Sequence, residues 1–504
     1  MADRLLEFLL LGAYLTLLLW IGIRSARRVK TSADYTLAGR EVPWIIVMAT
    51  TAATMIGGGA SVGMVSRVSQ VGIAAALVTC AWHLQLIFTG WFVAPKLRGL
   101  NLITVGDYFQ LKFGPLAREL AVINCFIFLI GAVAAQMAAI GTVTNAILGI
   151  RYETALLIGA AVTVFYSTVG GIRAVVSTDV LQFLILVVGI GAATAILVAE
   201  HGGFAAMAEA AAPGQFQVTS HWSITRFLSL FFAFLLGETF VPPYTVRCFI
   251  AQNARQARMG VATAGLFLLL FLPVATLTLG TSAQINPQVQ QAIAERQQEI
   301  LAHSAAEGQT ISAAEARGRA HQVAFPTLVR VTFHPAVAGV IIAAIIAAVM
   351  SSADSCLSCL ATVVMEDAYR RHVHPQASDR QLLRVAQATT LASGAAAVCC
   401  AWVFSDIASI LEFVYDFWAP TMVLPFLVAV FWYDERRVAA VVLSMIAGIT
   451  ATVVWRFLLG SPWDVGPALA GFLCATCTFL AALPFSSRVR LRGVLQPIPK
   501  NGPE

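Results

Sequence analysis

Charged residues are scarce in these 504 amino acids: Asp, Glu, Lys and Arg make up 12% of the chain against 59% hydrophobic residues, at a mean hydropathy of +0.80. That balance excludes a soluble globular domain, whose charged fraction is about twice as large. No basic segment stands apart, so the net charge of +6 is not a nucleic-acid footprint and no nucleic-acid partner is expected. Cysteine is present but without a framework: all nine lie in or beside apolar runs. Cys356-x-x-Cys359 and Cys474-x-x-Cys477 have the spacing of metal or redox pairs. Each pair falls about one turn apart within a helix, with no second pair beside it, and reads as small-residue helix packing. No nucleophile, base and orienting acid share one depth, so no enzymatic activity is expected. A pore loop of the TVGYG kind is missing as well.

Long apolar runs are what the sequence has in abundance. A bilayer core takes about 20 residues of helix. Windows of that kind begin near Leu5, Val42, Gly72, Leu120, Thr154, Asp179, Ser223, Gly260, Pro335, Leu382, Ile407, Ala439 and Val465, thirteen in all. The expectation is an all-α protein of the lipid bilayer, with residues 1–504 forming a single integral-membrane domain. The first window follows MADR, whose side chains carry no net charge; it is too long for a signal peptide, has no small-residue cleavage site after it, and is read as a retained span. Arg24, Arg27, Arg28 and Lys30 follow it and place that side in the cytoplasm, and alternating the loops keeps most Lys and Arg there. The amino terminus is therefore expected outside and the carboxyl terminus inside, in the inner (plasma) membrane of the cell. Residues 281–334 are polar and read as an external loop, partly helical by the pattern AIAERQQEILAHSAAE. Residues 484–504 read as a short, basic, Pro-containing cytoplasmic tail without a catalytic or signalling domain.

Two runs are interrupted. TAATMIGGGASVG, residues 51–63, sets Gly57, Gly58 and Gly59 side by side. In lipid, non-helical backbone survives only where it lines a cavity or packs in protein, so the glycines mark an unwound segment. The alternative is a small-residue helix contact, for which Gly59 and Gly63 have the spacing. The seventh run is broken at GETFVPPYTVR, with Gly237, Pro242, Pro243 and Glu238. The two breaks stand five spans apart, and five is odd, so a five-span repeat enters the membrane from opposite sides in its two copies. The repeats are then spans two to six, about 42–200, and seven to eleven, about 223–432, with one helix before and two after. At 1.5 Å per residue, Ala53 is about 16 Å and Ser351 and Ser352 are roughly 20 Å from the cytoplasmic side. The end carbonyls of the first half-helix, near Ile56, thus face two hydroxyls, an oxygen set suited to a hard cation.

AGREVPW, the AATMIGGG break, GGIRAVVSTDVLQ at 170–182 and AAVMSSADS at 347–355 occur in that order, and the chain from about residue 30 to residue 435 resembles the sodium:solute symporter family. The resemblance implies a LeuT-type fold of about thirteen spans and sodium as the co-transported ion, held by Ala53, Ile56, Ala348, Ser351 and Ser352. It also implies a second cation site at Asp179, Asp354 and Ser355. A carboxylate deep in a helix needs a partner or a proton; the alternative for Asp354 is a hydrogen bond to Ser351 or Ser358 on its own helix. Sugar transporters of this family place a Glu-Gln pair just after the break, where this chain has Gly58, Gly59 and Ala60; sialic acid transporters use an arginine in the fourth span, where this chain offers Gln136. Sugars and acid sugars are therefore disfavoured.

The glycines allow close approach of a ligand, and the N–H groups after the break favour a carboxylate. A small organic solute such as an amino acid, a monocarboxylate or a pantothenate-like acid is expected, bound near Gly57, Gly58, Gly59, Gln136, Glu238 and Trp418. Glu238 meets a substrate amine or else pairs with Thr239 or a backbone N–H. Trp418, and Trp82 with Gln85, line or gate the cavity or else serve packing; His83 is read as structural. A transporter-like sensor or a channel is the alternative function.

Overall fold

A computed structural model of the chain describes residues 2–237, 240–306, 311–403 and 407–486. Among these residues eleven helices are long and apolar enough to cross a membrane, and a bent pair, Trp44–Met55 with Gly59–Val71, makes up to twelve. Two of the thirteen sequence windows, beginning at Thr154 and Asp179, lie on Tyr152–Glu200, which is two helices joined across a kink. Its 49 residues extend about 74 Å, more than twice a bilayer core of roughly 30 Å. Gly171 breaks it with φ 52° and ψ −155°, a conformation open to glycine, and a side chain there would enter the ring of Tyr35.

Local signals set several of the remaining boundaries. Thr104 and Asp107 form a capping box at the start of Val105–Phe113, and Gly114, at φ 85°, ends it. The next helix, Pro115–Leu148, opens with proline in its first turn and closes at Gly149 in the left-handed region. The seventh run is divided into Ile224–Gly237 and Pro242–Ile250, with Phe240 at φ 65° between them. Glu238 and Thr239 lie outside the described residues, as do residues 487–504 of the tail.

The two broken runs meet end to end. Val42 N–H donates to Ile250 O at 3.2 Å, and Gln252 N–H donates to Val42 O at 3.1 Å, so the start of Trp44–Met55 is tied to the end of Pro242–Ile250. Helix Pro335–Thr362 passes behind them and is buried along most of its length; it packs on Tyr152–Glu200 and Pro115–Leu148. The polar stretch after Ile285 is mainly helical: Pro287–Ala306, Ala313–Ala320 and Ala324–Thr332.

Candidate functional site

The chain bends by 56° between Trp44–Met55 and Gly59–Val71, and the bend strips carbonyls of their helical partners. Ile56 N–H still closes on Ala52 O at 3.2 Å. Beyond it, Gly58 N–H turns away to Gln136 Oε1 at 2.7 Å. The carbonyls thus released, Ala53 O and Thr54 O, accept from the hydroxyls of Ser351 at 2.7 Å and Ser352 at 2.5 Å. Ser351 Oγ also lies 3.1 Å from Ala348 O. Ala53, Ile56, Ala348 and Ser351 are fully buried. Of the expected ligand residues, Ala53, Ala348, Ser351 and Ser352 thus meet in one cluster, which Thr54 joins, and Ile56 follows two residues further along the chain. Rotating two hydroxyl protons away would turn this cluster into a cage of carbonyl and hydroxyl oxygens.

The glycines serve room, not dihedral freedom. Gly58 is right-handed, φ −54° and ψ −34°. A Cβ on Gly57 would stand 2.8 Å from Ser352 Cβ and 3.0 Å from Gln136 Oε1; one on Gly58 would meet Ala139, and one on Gly59 would meet Leu411. Sequence reasoning offered the N–H groups after the break to a substrate carboxylate. Gly58 N–H is instead taken by Gln136, whose own amide nitrogen is what remains to meet a ligand.

Beside the break is a cavity of about 50 Å³ lined by Gly57, Gly59, Gln136, Trp82, Ser352 and Tyr415, among others. The indole N–H of Trp82 is buried without a partner among the described residues. Gly58 stands behind the wall, packed on Ala139. Trp418 is a layer further back, fully buried with its ring 4.9 Å from Phe128, so it supports the lining and does not form it. Gln85 donates to Thr89 Oγ1 of its own helix at 2.6 Å.

Packed and paired side chains stand on two sides of the cavity. On one side Trp82 packs on Phe234 at 4.7 Å, and Arg67 pairs with Glu412 at 2.6 Å. Past that pair lies a wider vestibule of about 580 Å³ lined by Arg226, Asp416, Arg456 and Asp464. On the other side Phe240 stacks on Phe426 at 4.3 Å, with Tyr108 5.1 Å from Phe240.

One turn from the serine pair, Asp179, Asp354 and Ser355 also come together, around a group the sequence reading left out. The guanidinium of Arg247, fully buried, places Nη2, with its two N–H groups, 3.0 Å from Asp179 Oδ2, 2.6 Å from Ser355 Oγ, 2.8 Å from Thr54 Oγ1 and 3.2 Å from Thr50 Oγ1. Its Nη1 donates to Pro243 O at 2.9 Å. Thr50 donates its hydroxyl to Asp179. Asp354 accepts from Tyr166 OH at 2.8 Å, a partner on another helix and not the Ser351 or Ser358 considered from sequence. Arg247 was visible as an arginine inside an apolar run, GETFVPPYTVR, and two intramembrane carboxylates in search of a partner were the signal that points to it.

The model of the sodium:solute symporter family matches residues 35–448. The chain belongs to that family. The symporter is 26% identical over 481 residues to a sodium/glucose cotransporter of Vibrio parahaemolyticus, covering 90% of this chain and 85% of the other. It is 24% identical over 450 residues to the high-affinity proline transporter PutP of Bacillus subtilis, covering 87% and 89%. The solved structure of a Na+-coupled sialic acid symporter, substrate-bound and outward-open, superimposes with a TM-score of 0.79 at 20% identity, covering 95% of this chain and 97% of that one. The fold is thus LeuT-type, and the symporter is a multi-pass membrane transporter, not an enzyme, that couples movement of a solute to sodium.

Proposed function

We propose that the symporter takes up a small zwitterionic or carboxylate-bearing solute, an amino acid in the first place and a monocarboxylate or pantothenate-like acid in the second. The co-transported sodium sits between the carbonyls of Ala53, Ile56 and Ala348 and the hydroxyls of Ser351 and Ser352. The observation that carries the reading is Gln136: its oxygen is committed to Gly58 N–H, so its amide N–H groups are left to hold a carboxylate beside the sodium site. Cavity size supports a small solute. An engineered cavity of about 150 Å³ holds a benzene, and this one measures about 50 Å³, so even a small solute requires the aromatic walls to part. Sugar recognition would need a ring of hydroxyl-reading side chains, and the positions after the break are Gly58, Gly59 and Ala60. Relatives described as sodium/proline symporters favour the amino acid.

Positive residues after the first span put Arg24, Arg27, Arg28 and Lys30 in the cytoplasm, so the Arg67–Glu412 pair closes the external side and the sodium gradient drives uptake. The test is sodium-gradient-driven uptake of labelled proline, lactate, pantothenate and glucose into proteoliposomes. Uptake of one of the carboxylates that disappears when sodium is replaced by choline is expected. Uptake of glucose alone, or of all four without sodium, overturns the reading.

A further inference from the structure

The coupling stoichiometry is written in the charges around Arg247. Asp179 and Asp354 are both fully buried, and so is Arg247. Ions removed from water are tolerated only when their charges are matched and their hydrogen bonds filled. With both carboxylates ionised, one guanidinium leaves one negative charge to be matched by a cation or by a proton on Asp354. The serine pair that faces Ala53 and Thr54 lies one turn from Asp354 and Ser355 on the same helix, Pro335–Thr362, and a single sodium there completes the balance.

The oxygens of Asp179, Thr50, Thr54 and Ser355 converge on one point, as the ligands of a small cation would. The atom at that point is Nη2 of Arg247. A guanidinium held there excludes an ion from the same volume, because four oxygens at 2.6 to 3.2 Å from one nitrogen leave no room for a second centre. Arg247 is carried on Pro242–Ile250, the later half of the second broken run, so its charge belongs to the protein and returns with it in every cycle.

We propose that Arg247 is a resident cation standing in for a second transported ion, so that the symporter binds and moves one sodium per solute. The proposal rests on the assignment of the sodium to Ala53, Ile56, Ala348, Ser351 and Ser352, and sodium itself is the probe that separates the two. Saturation binding of radioactive sodium to the purified full-length protein counts ions without knowledge of the solute. One ion per chain is expected for the unmodified protein and for Arg247→Lys, and two for Arg247→Gln, which opens the site and leaves a carboxylate to be matched. In Ser351→Ala/Ser352→Ala the count should fall to none. Two ions in the unmodified protein, or one in Arg247→Gln, overturn the proposal, whereas no binding at all, or one ion surviving in the double serine variant, overturns the sodium assignment instead. If Arg247→Gln does not reach the membrane, the unmodified count decides: one supports the resident cation and two refutes it.

Discussion

A serine hydroxyl, a glycine's missing methyl and one amide nitrogen do most of the work attributed to the site. Ser351 and Ser352 each hold a carbonyl freed by the bend, and a hydrogen bond to a charged group contributes about 1.5–3 kcal/mol. Replacing both by alanine removes about 3–6 kcal/mol and should raise the sodium concentration for half-maximal transport by at least about 100-fold, so that no ion is counted at concentrations that saturate the unmodified protein. Unchanged sodium dependence would remove the pair from the site. Gln136→Ala deletes the proposed carboxylate donor and should raise the solute KM by roughly 10- to 100-fold on the same energetic scale, with sodium binding retained. Gly58→Leu would drive a side chain into Ala139; inserted protein with transport abolished is expected. These positions were legible in the sequence because their motifs are local. Gln136 was legible only as a polar residue in an apolar span, and its bond to Gly58 N–H could not be read from a separation of 78 residues.

Between elements, the contacts that close the site are few and partly polar. Arg67 on the later half of the first broken run and Glu412 on Ile407–Trp418 are each partly exposed, with 19% and 31% of their side chains accessible. Such a pair contributes only about 0–1 kcal/mol, suited to a closure that must open in each cycle. Arg67→Gln should speed the reaction of a cysteine placed at Leu411 with a membrane-impermeant thiol reagent several-fold, measured after exposed Cys399 and Cys477 are replaced. An unchanged rate would mean that the aromatic wall alone closes that side. A second contact ties the polar stretch to the same half-helix: Ser69 Oγ and His321 Nδ1 are 2.9 Å apart. Burial, reinforced by Arg317, pushes the His321 imidazole down to about 4. A histidine depressed from its ordinary value near 6.5 stabilises the folded state above that value and withdraws the contribution as pH falls toward 4, because the unfolded chain takes up the proton first. The thermal midpoint of the unmodified protein should therefore drop between pH 6.5 and 4 more steeply than that of His321→Gln. Parallel curves would dismiss the contact.

At the scale of the whole molecule, the proposed pairing of one sodium with a zwitterion would move one net charge per cycle. One charge across 100 mV is worth about 2.3 kcal/mol, so an inside-negative potential of that size should multiply accumulation of an amino acid by roughly 50-fold. A monocarboxylate moved with one sodium is electroneutral and should ignore the potential. Uptake with and without an imposed potassium diffusion potential reads the difference. The sequence by itself determined the solvent, the all-helical class and the two interruptions, and its motifs pointed to the residues proposed for the sodium site, because apolar runs, broken runs and short motifs are properties of neighbouring residues. The tertiary structure decided what those residues face. It set Arg247 against Asp179 across 68 residues, turned Gly58 N–H toward Gln136, and placed Trp418 behind the cavity wall. Spatial neighbours of that kind depend on how helices cross and bend, and a buried charge takes its role from its partners, not from its place in the chain.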